Sequence, residues 1–191
     1  FSGCNLWSGR EKDRNSAVCD FCDTDFIGVD GVGGGKYLNA EDLASSIERE
    51  WLSKVETNDE RVSGYKYVVF TGGEPGLQLD SVLVKALQKR GFECAVETNG
   101  TIKLPSQLDW VTVSPKSSQT LETVSGNELK LVYPQASIEP KSFLELDFEY
   151  FFLQPMDCPA YRDNLRKTVK YCLKNPPWRL SLQTHKVAGI P

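Results

Sequence analysis

The stretch "YKYVVF" (65–70), with "TGGEP" (71–75) directly behind it, decides how this chain is read. An apolar, β-branched and aromatic run bounded by Gly, Gly and Pro reads as a buried strand with a sharp end. On its N-terminal side, residues 39–55 carry a helical pattern. Asn39 can cap it, Asp42 follows three residues later, and Leu43, Ile47, Trp51 and Val55 recur on one face. On its C-terminal side, Asp80 can cap a second helix through Arg90, with Gly91 as the stop. Further along, "FECAVE" (92–97), "WVTVS" (110–114), "ELKLVY" (128–133), "YFFLQ" (150–154) and "RLSLQ" (179–183) read as strands, and residues 161–174 as a third helix. Strands separated by helices predict right-handed crossovers and a mostly parallel sheet. Only three links show a helical period, whereas 98–109 and 115–127 are short and polar. The expected class is therefore α/β, a parallel sheet or partial (β/α) barrel with fewer helices than strands, as a single domain over residues 1–191.

Just past the strands lie "TGGEP" (71–75), "TNG" (98–100), "SPK" (114–116), "QPMD" (154–157) and "QTHK" (183–186). Polar, turn-forming motifs thus gather at the C-terminal strand ends, where parallel α/β folds build their active sites. By contrast, "DGVGGGKY" (30–37) is a poor phosphate loop, because Asp30 stands where Gly is needed and Tyr37 where Ser or Thr is needed. It reads as a link. Composition agrees with a soluble intracellular protein: 191 residues, 25 % charged, net charge −4. An ordinary apolar content excludes disordered and fibrous classes. No apolar run is long enough to span a bilayer, and no basic-then-apolar leader opens the chain. The acidic balance and the lack of a dense Lys/Arg block argue against nucleic acid. The expectation is a cytoplasmic protein with neither nucleic-acid nor membrane partners. Because the sequence opens on Phe1 rather than Met, a further N-terminal segment is expected.

Cys4, Cys19 and Cys22 have the spacing C-x14-C-x2-C. A disulfide leaves one of the three unpaired and suits a reducing compartment badly. Structural zinc wants a fourth ligand, which the fold would have to bring from Cys94, Cys158, Cys172 or His185. Three thiolates on a cubane iron–sulfur cluster leave one iron open for a small molecule. Cys94, Cys158 and Cys172 read as packed thiols, and Cys158 adjoins "QPMD".

Three clustered cysteines ahead of "GGEP" after the next strand resemble the radical S-adenosylmethionine (SAM) superfamily, from whose shorter standard spacing this loop departs. With "CDFCDTDF", "ETNG", "VSPK", "FLQPMD" and "SLQTHK", the whole chain resembles the 7-carboxy-7-deazaguanine synthase family, in its subgroup with an extended cluster loop. The resemblance implies a partial barrel of the radical SAM type and a [4Fe–4S] cluster on Cys4, Cys19 and Cys22. It implies SAM contacts at Phe21, Asp23, Gly72, Gly73, Glu97, Asn99, Ser114, Pro115, Lys116, Gln154, Pro155, Met156 and Asp157. Gly72 and Gly73, lacking Cβ atoms, would let backbone approach the methionine end of SAM, while Glu97 and Asn99 would meet the ribose, unless they only form a turn. Mg²⁺ would sit at Thr24, since that ion takes few protein oxygens. Thr71, His185 and the carboxylate of Pro191 would contact substrate.

The activity so implied is a lyase reaction that contracts 6-carboxy-5,6,7,8-tetrahydropterin to 7-carboxy-7-deazaguanine with loss of ammonia, on the route to 7-deazapurines such as queuosine. SAM would be cleaved to a deoxyadenosyl radical and regenerated each turnover. An electron donor such as flavodoxin and a homodimer are implied too. The family's substrate-binding Gln-Gly-Glu-Gly segment and arginine, which precede its first cysteine, are expected ahead of Phe1. Two alternatives stand beside this: another radical SAM enzyme of the glycyl-radical activase type, and a zinc-stabilised binding module.

Overall fold

The computed structural model describes residues 1–31, 33–54, 64–118, 120–136 and 138–190. Its centre is a six-stranded sheet in the order β1-β2-β3-β4-β5-β6, so that neighbours in sequence are neighbours in space. The strands are β1 (Tyr67–Phe70), β2 (Glu93–Thr98), β3 (Trp110–Val113), β4 (Ser125–Tyr133), β5 (Asp147–Pro155) and β6 (Trp178–Leu180). Every pairing is parallel. β1 and β6 end the order without pairing to each other, which makes this an open sheet of the partial-barrel kind.

Helices α1 (Ala40–Lys54), α2 (Ser81–Gln88) and α3 (Tyr161–Lys174) serve as crossovers. Asn39 Oδ1 accepts from the Asp42 N–H at 2.9 Å and its Nδ2 donates to Asp42 Oδ2, so the expected cap of α1 is formed. Leu43, Ile47 and Trp51 pack onto the core, and Val55 lies outside the described residues. Asp80 caps α2 by accepting from Val82 and Leu83, and Gly91 takes φ 80° just beyond it. α2 ends short of Arg90, where the Arg90 and Gly91 N–H groups bond back to Leu87 and Gln88 in a tightened last turn.

One face of the sheet carries two apolar clusters. Phe70, Cys94 and Val96 pack beneath Leu83, Val84 and Leu87 of α2. Val113, Leu129, Leu131 and Leu153 form the second cluster, with Tyr171 and Cys172 of α3 packed on it. Because strand side chains alternate, Glu97, Lys130, Val132 and Gln154 project from the opposite face, towards the cavity described below.

Two expectations shift. β4 and β5 begin earlier than their apolar runs, because their polar first residues still pair, Ser125 with Asp147. β6 is short: after the Ser181 N–H bonds Leu153 O the chain leaves the sheet and forms a small helix, α4 (Thr184–Ala188). No described helix is long and apolar enough to cross a membrane.

Candidate active site

The fourteen residues between Cys4 and Cys19 do not separate them, because the loop folds back on itself. The Val18 and Cys19 N–H groups both donate to Leu6 O, at 3.0 and 3.3 Å. A 3-10 turn over Glu11–Ser16 closes the far end. Trp7 is the hub of the loop. Its ring meets Phe26 edge-on at 5.6 Å, the Arg14 guanidinium stacks 4.0 Å over it, and its Nε1 donates to Arg10 O. Arg14 Nη1 also donates to Asp20 O and Cys22 O, pinning the segment that carries the last two cysteines. Cys4, Cys19 and Cys22 consequently line one cavity of about 480 Å³ at the C-terminal edge of the sheet.

Cys19 and Cys22 share a hydrogen bond, which pushes the Cys19 thiol up and brings Cys22 down to about 6. Among the described residues no three His, Cys, Asp or Glu side chains converge to hold a single metal ion. Cys4, Cys19 and Cys22 are free thiols on the wall of one cavity, a soft donor set of the kind that iron–sulfur clusters take. Cys94, Cys158 and Cys172 are not part of the cavity wall. Burial pushes Cys94 up to about 11 and raises Cys172. The Cys158 thiol accepts from Asn164 Nδ2 at 3.3 Å instead of facing the pocket, because Asn164 holds the turn into α3 by also donating to Met156 O.

After β1 the backbone is tied to the cysteine segment. The Gly73 N–H donates to Phe1 O and the Glu74 N–H to Gly3 O, at 3.1 and 2.8 Å. A Cβ on Gly72 would lie 2.0 Å from Phe1 O, and one on Gly73 1.9 Å from Gly3 O. The space left by the missing side chains is thus occupied by the chain's own N-terminal segment, which positions Cys4. Glu74, unremarked in the sequence reading, is fully buried. Its carboxylate accepts from Thr98 Oγ1, Asn99 N and Gly76 N, locking the end of β1 to the end of β2. The Asn99 Oδ1 accepts from Thr101 N and Oγ1, and its Nδ2 donates to Asn5, so this side chain shapes the turn before Gly100 while lining the cavity.

Of the other expected residues, Phe21, Asp23, Thr24, Thr71 and Glu97 reach the cavity. So do Ser114, Lys116, Gln154, Met156, Asp157 and His185. Pro115 and Pro155 do not; both are buried in the backbone at the ends of β3 and β5. Pro191 lies outside the described residues. Lys116 donates to Ser114 Oγ at 2.7 Å; burial lowers its affinity for a proton, and nearby Cys19 opposes that. Lys130 bridges to Glu97 Oε1 at 2.7 Å on the cavity floor. Lys130, Trp7 and Lys186 were not singled out by sequence. Only the outward parity of β4 signals Lys130. Lys186 was quoted in "QTHK" without a role, although its ammonium bonds Asp23 and Asp157. Burial works against the Asp23 carboxylate, but its bonds from Lys186 and Gln183 hold it below the usual range.

No protein-family model matches the chain. A 7-carboxy-7-deazaguanine synthase from Caulobacter vibrioides is 56 % identical over 191 residues, covering 100 % of this chain and 87 % of that one. The Bordetella pertussis enzyme of the same name is 53 % identical with the same coverage. Similar folding is seen in the crystal structure of QueE from Escherichia coli, with a TM-score of 0.60 at 24 % identity, over 96 % of this chain and 82 % of that one. Relatives this similar along the whole chain, on a sheet whose cavity gathers the three cysteines, place the protein in the 7-carboxy-7-deazaguanine synthase family.

Proposed function

We propose that the protein is a radical SAM lyase that converts 6-carboxy-5,6,7,8-tetrahydropterin to 7-carboxy-7-deazaguanine and ammonia, serving 7-deazapurine biosynthesis such as that of queuosine. One observation carries the reading: Cys4, Cys19 and Cys22 open into the same cavity as the polar ends of the parallel strands. When bound there, a [4Fe–4S] cluster and SAM supply a carbon radical that takes hydrogen from substrate. In this reading the three thiolates hold the cluster and leave one iron to SAM. Ser114, Lys116 and Gln154–Asp157 flank SAM, with Phe21, Asp23, Gly72 and Gly73 at its methionine end and Glu97 and Asn99 towards the ribose. Pro115 and Pro155 shape these segments from behind. Thr71, His185 and the terminal carboxylate of Pro191 would orient the pterin, and Thr24 would hold Mg²⁺, which supplies positive charge for the substrate carboxylate. The apolar walls given by Leu6, Trp7 and Phe26 exclude water from a radical intermediate. A cytoplasmic homodimer of one domain per chain, fed by a flavodoxin-like donor, completes the proposal.

The test is anaerobic reconstitution with iron and sulfide, followed by incubation with SAM, Mg²⁺, dithionite and the pterin. Deazaguanine product with SAM recovered is expected. Full iron loading without product overturns the substrate assignment, and SAM consumed in proportion to a glycyl-radical partner would instead favour an activase.

A further inference from the structure

Lys186 stands where three parts of the cavity wall meet. Its Nζ donates to Asp23 Oδ2 at 2.6 Å, directly after the last cysteine, and to Asp157 Oδ2 at 2.5 Å, at the end of "QPMD". Gln183 Nε2 adds a bond to the same Asp23 oxygen at 3.0 Å. α4 depends on such ties. It is five residues long and none of them is buried, and a helix that short does not hold itself together in water. Yet α4 carries His185 to the cavity. Asp23 and Asp157, brought to one point, would repel each other if the ammonium between them were removed. A lysine suits this place, since a compact charge with three donors can serve two carboxylates at once.

We propose that Lys186 is a positioning residue, which latches α4 across the cavity mouth by clasping Asp23 and Asp157 and thereby sets where His185 meets the substrate. The proposal rests on the reading that the pterin enters this cavity. Each partner is about 40 % exposed, so the clasp is partly screened and reversible, as a mouth that admits substrate and releases product requires.

The test compares Lys186→Met and Lys186→Arg with the parent, all cluster-loaded. Hydrogen–deuterium exchange reads the amides of α4 and of the turn that ends it, among them Lys186 N–H to Gln183 O and Ile190 N–H to His185 O. Lys186→Met is expected to speed their exchange about fivefold, with most of that recovered in Lys186→Arg. With pterin, KM should rise about fivefold in Lys186→Met while kcat changes little, and more SAM should be cleaved per product formed. Unchanged α4 exchange in Lys186→Met, or an unchanged KM, overturns the latch. Should that variant not fold, added salt on the parent gives the same reading: faster α4 exchange supports the clasp and salt-indifferent exchange refutes it. If the parent makes no deazaguanine, the functional reading falls, whereas the exchange result still judges the latch.

Discussion

The cysteine-bearing wall and the wall that carries α4 face one cavity but are held by different forces. On the first, backbone meets backbone: Gly73 and Glu74 bond to Phe1 and Gly3, and Cys19 is buried. The buried Glu74 carboxylate there satisfies three donors at once. On the second, α4 contributes no buried side chain and is fastened by half-exposed charges. Interactions of the first kind open rarely, because opening leaves polar groups dry and unpaired; those of the second are exchanged for water at little cost. A group that must sit in one place belongs on the first wall, and a molecule that comes and goes belongs under the second.

Replacing Cys22 by Ala strikes the firm wall hardest. It is expected to remove bound iron and abolish product, as iron and sulfide counts and an anaerobic absorbance spectrum will show; full iron retention would break the contrast. Glu74→Ala is next. It strands Thr98 and the Asn99 and Gly76 amides and should cost about 3 kcal/mol, read by denaturant unfolding of the apo-protein. Gly73→Ala drives a Cβ into Gly3 O, and a backbone atom cannot swing aside. A loss of about 2 kcal/mol is expected, with poorer iron loading because Gly3 precedes Cys4. The smallest effect sharpens the contrast from outside both walls. Asp80→Ala removes the α2 cap and should cost about 1 kcal/mol in thermal unfolding while leaving product per bound iron unchanged.

Much of this was legible in the sequence, for reasons that also mark the limit. The strands announced themselves by short runs rich in β-branched and aromatic residues bounded by turn-forming motifs, and α1 and α2 because Asn39 and Asp80 sit one step before a periodic stripe. The motifs at the strand ends gathered as expected, since a parallel sheet sends all those ends to one edge. What stayed hidden is non-local or too short to have a period. α4 spans little more than one turn, and nothing near Asp23 in the chain announces a lysine 163 positions away. Glu74 was read as part of a turn, although burial makes it the knot between two strands. For Gly72 and Gly73 the space left by the absent side chain is taken up by the N-terminal segment, a contact that no local pattern signals.

The sheet's order has a consequence for how the molecule comes into being. With each strand laid beside the one synthesised just before it, the sheet can grow by accretion from β1 to β6, every newcomer meeting an edge already made. The Asp23–Lys186 bond, which joins opposite ends of the chain, can form only after the last strand has docked. Among the described elements, the α4 side of the cavity mouth is therefore completed late.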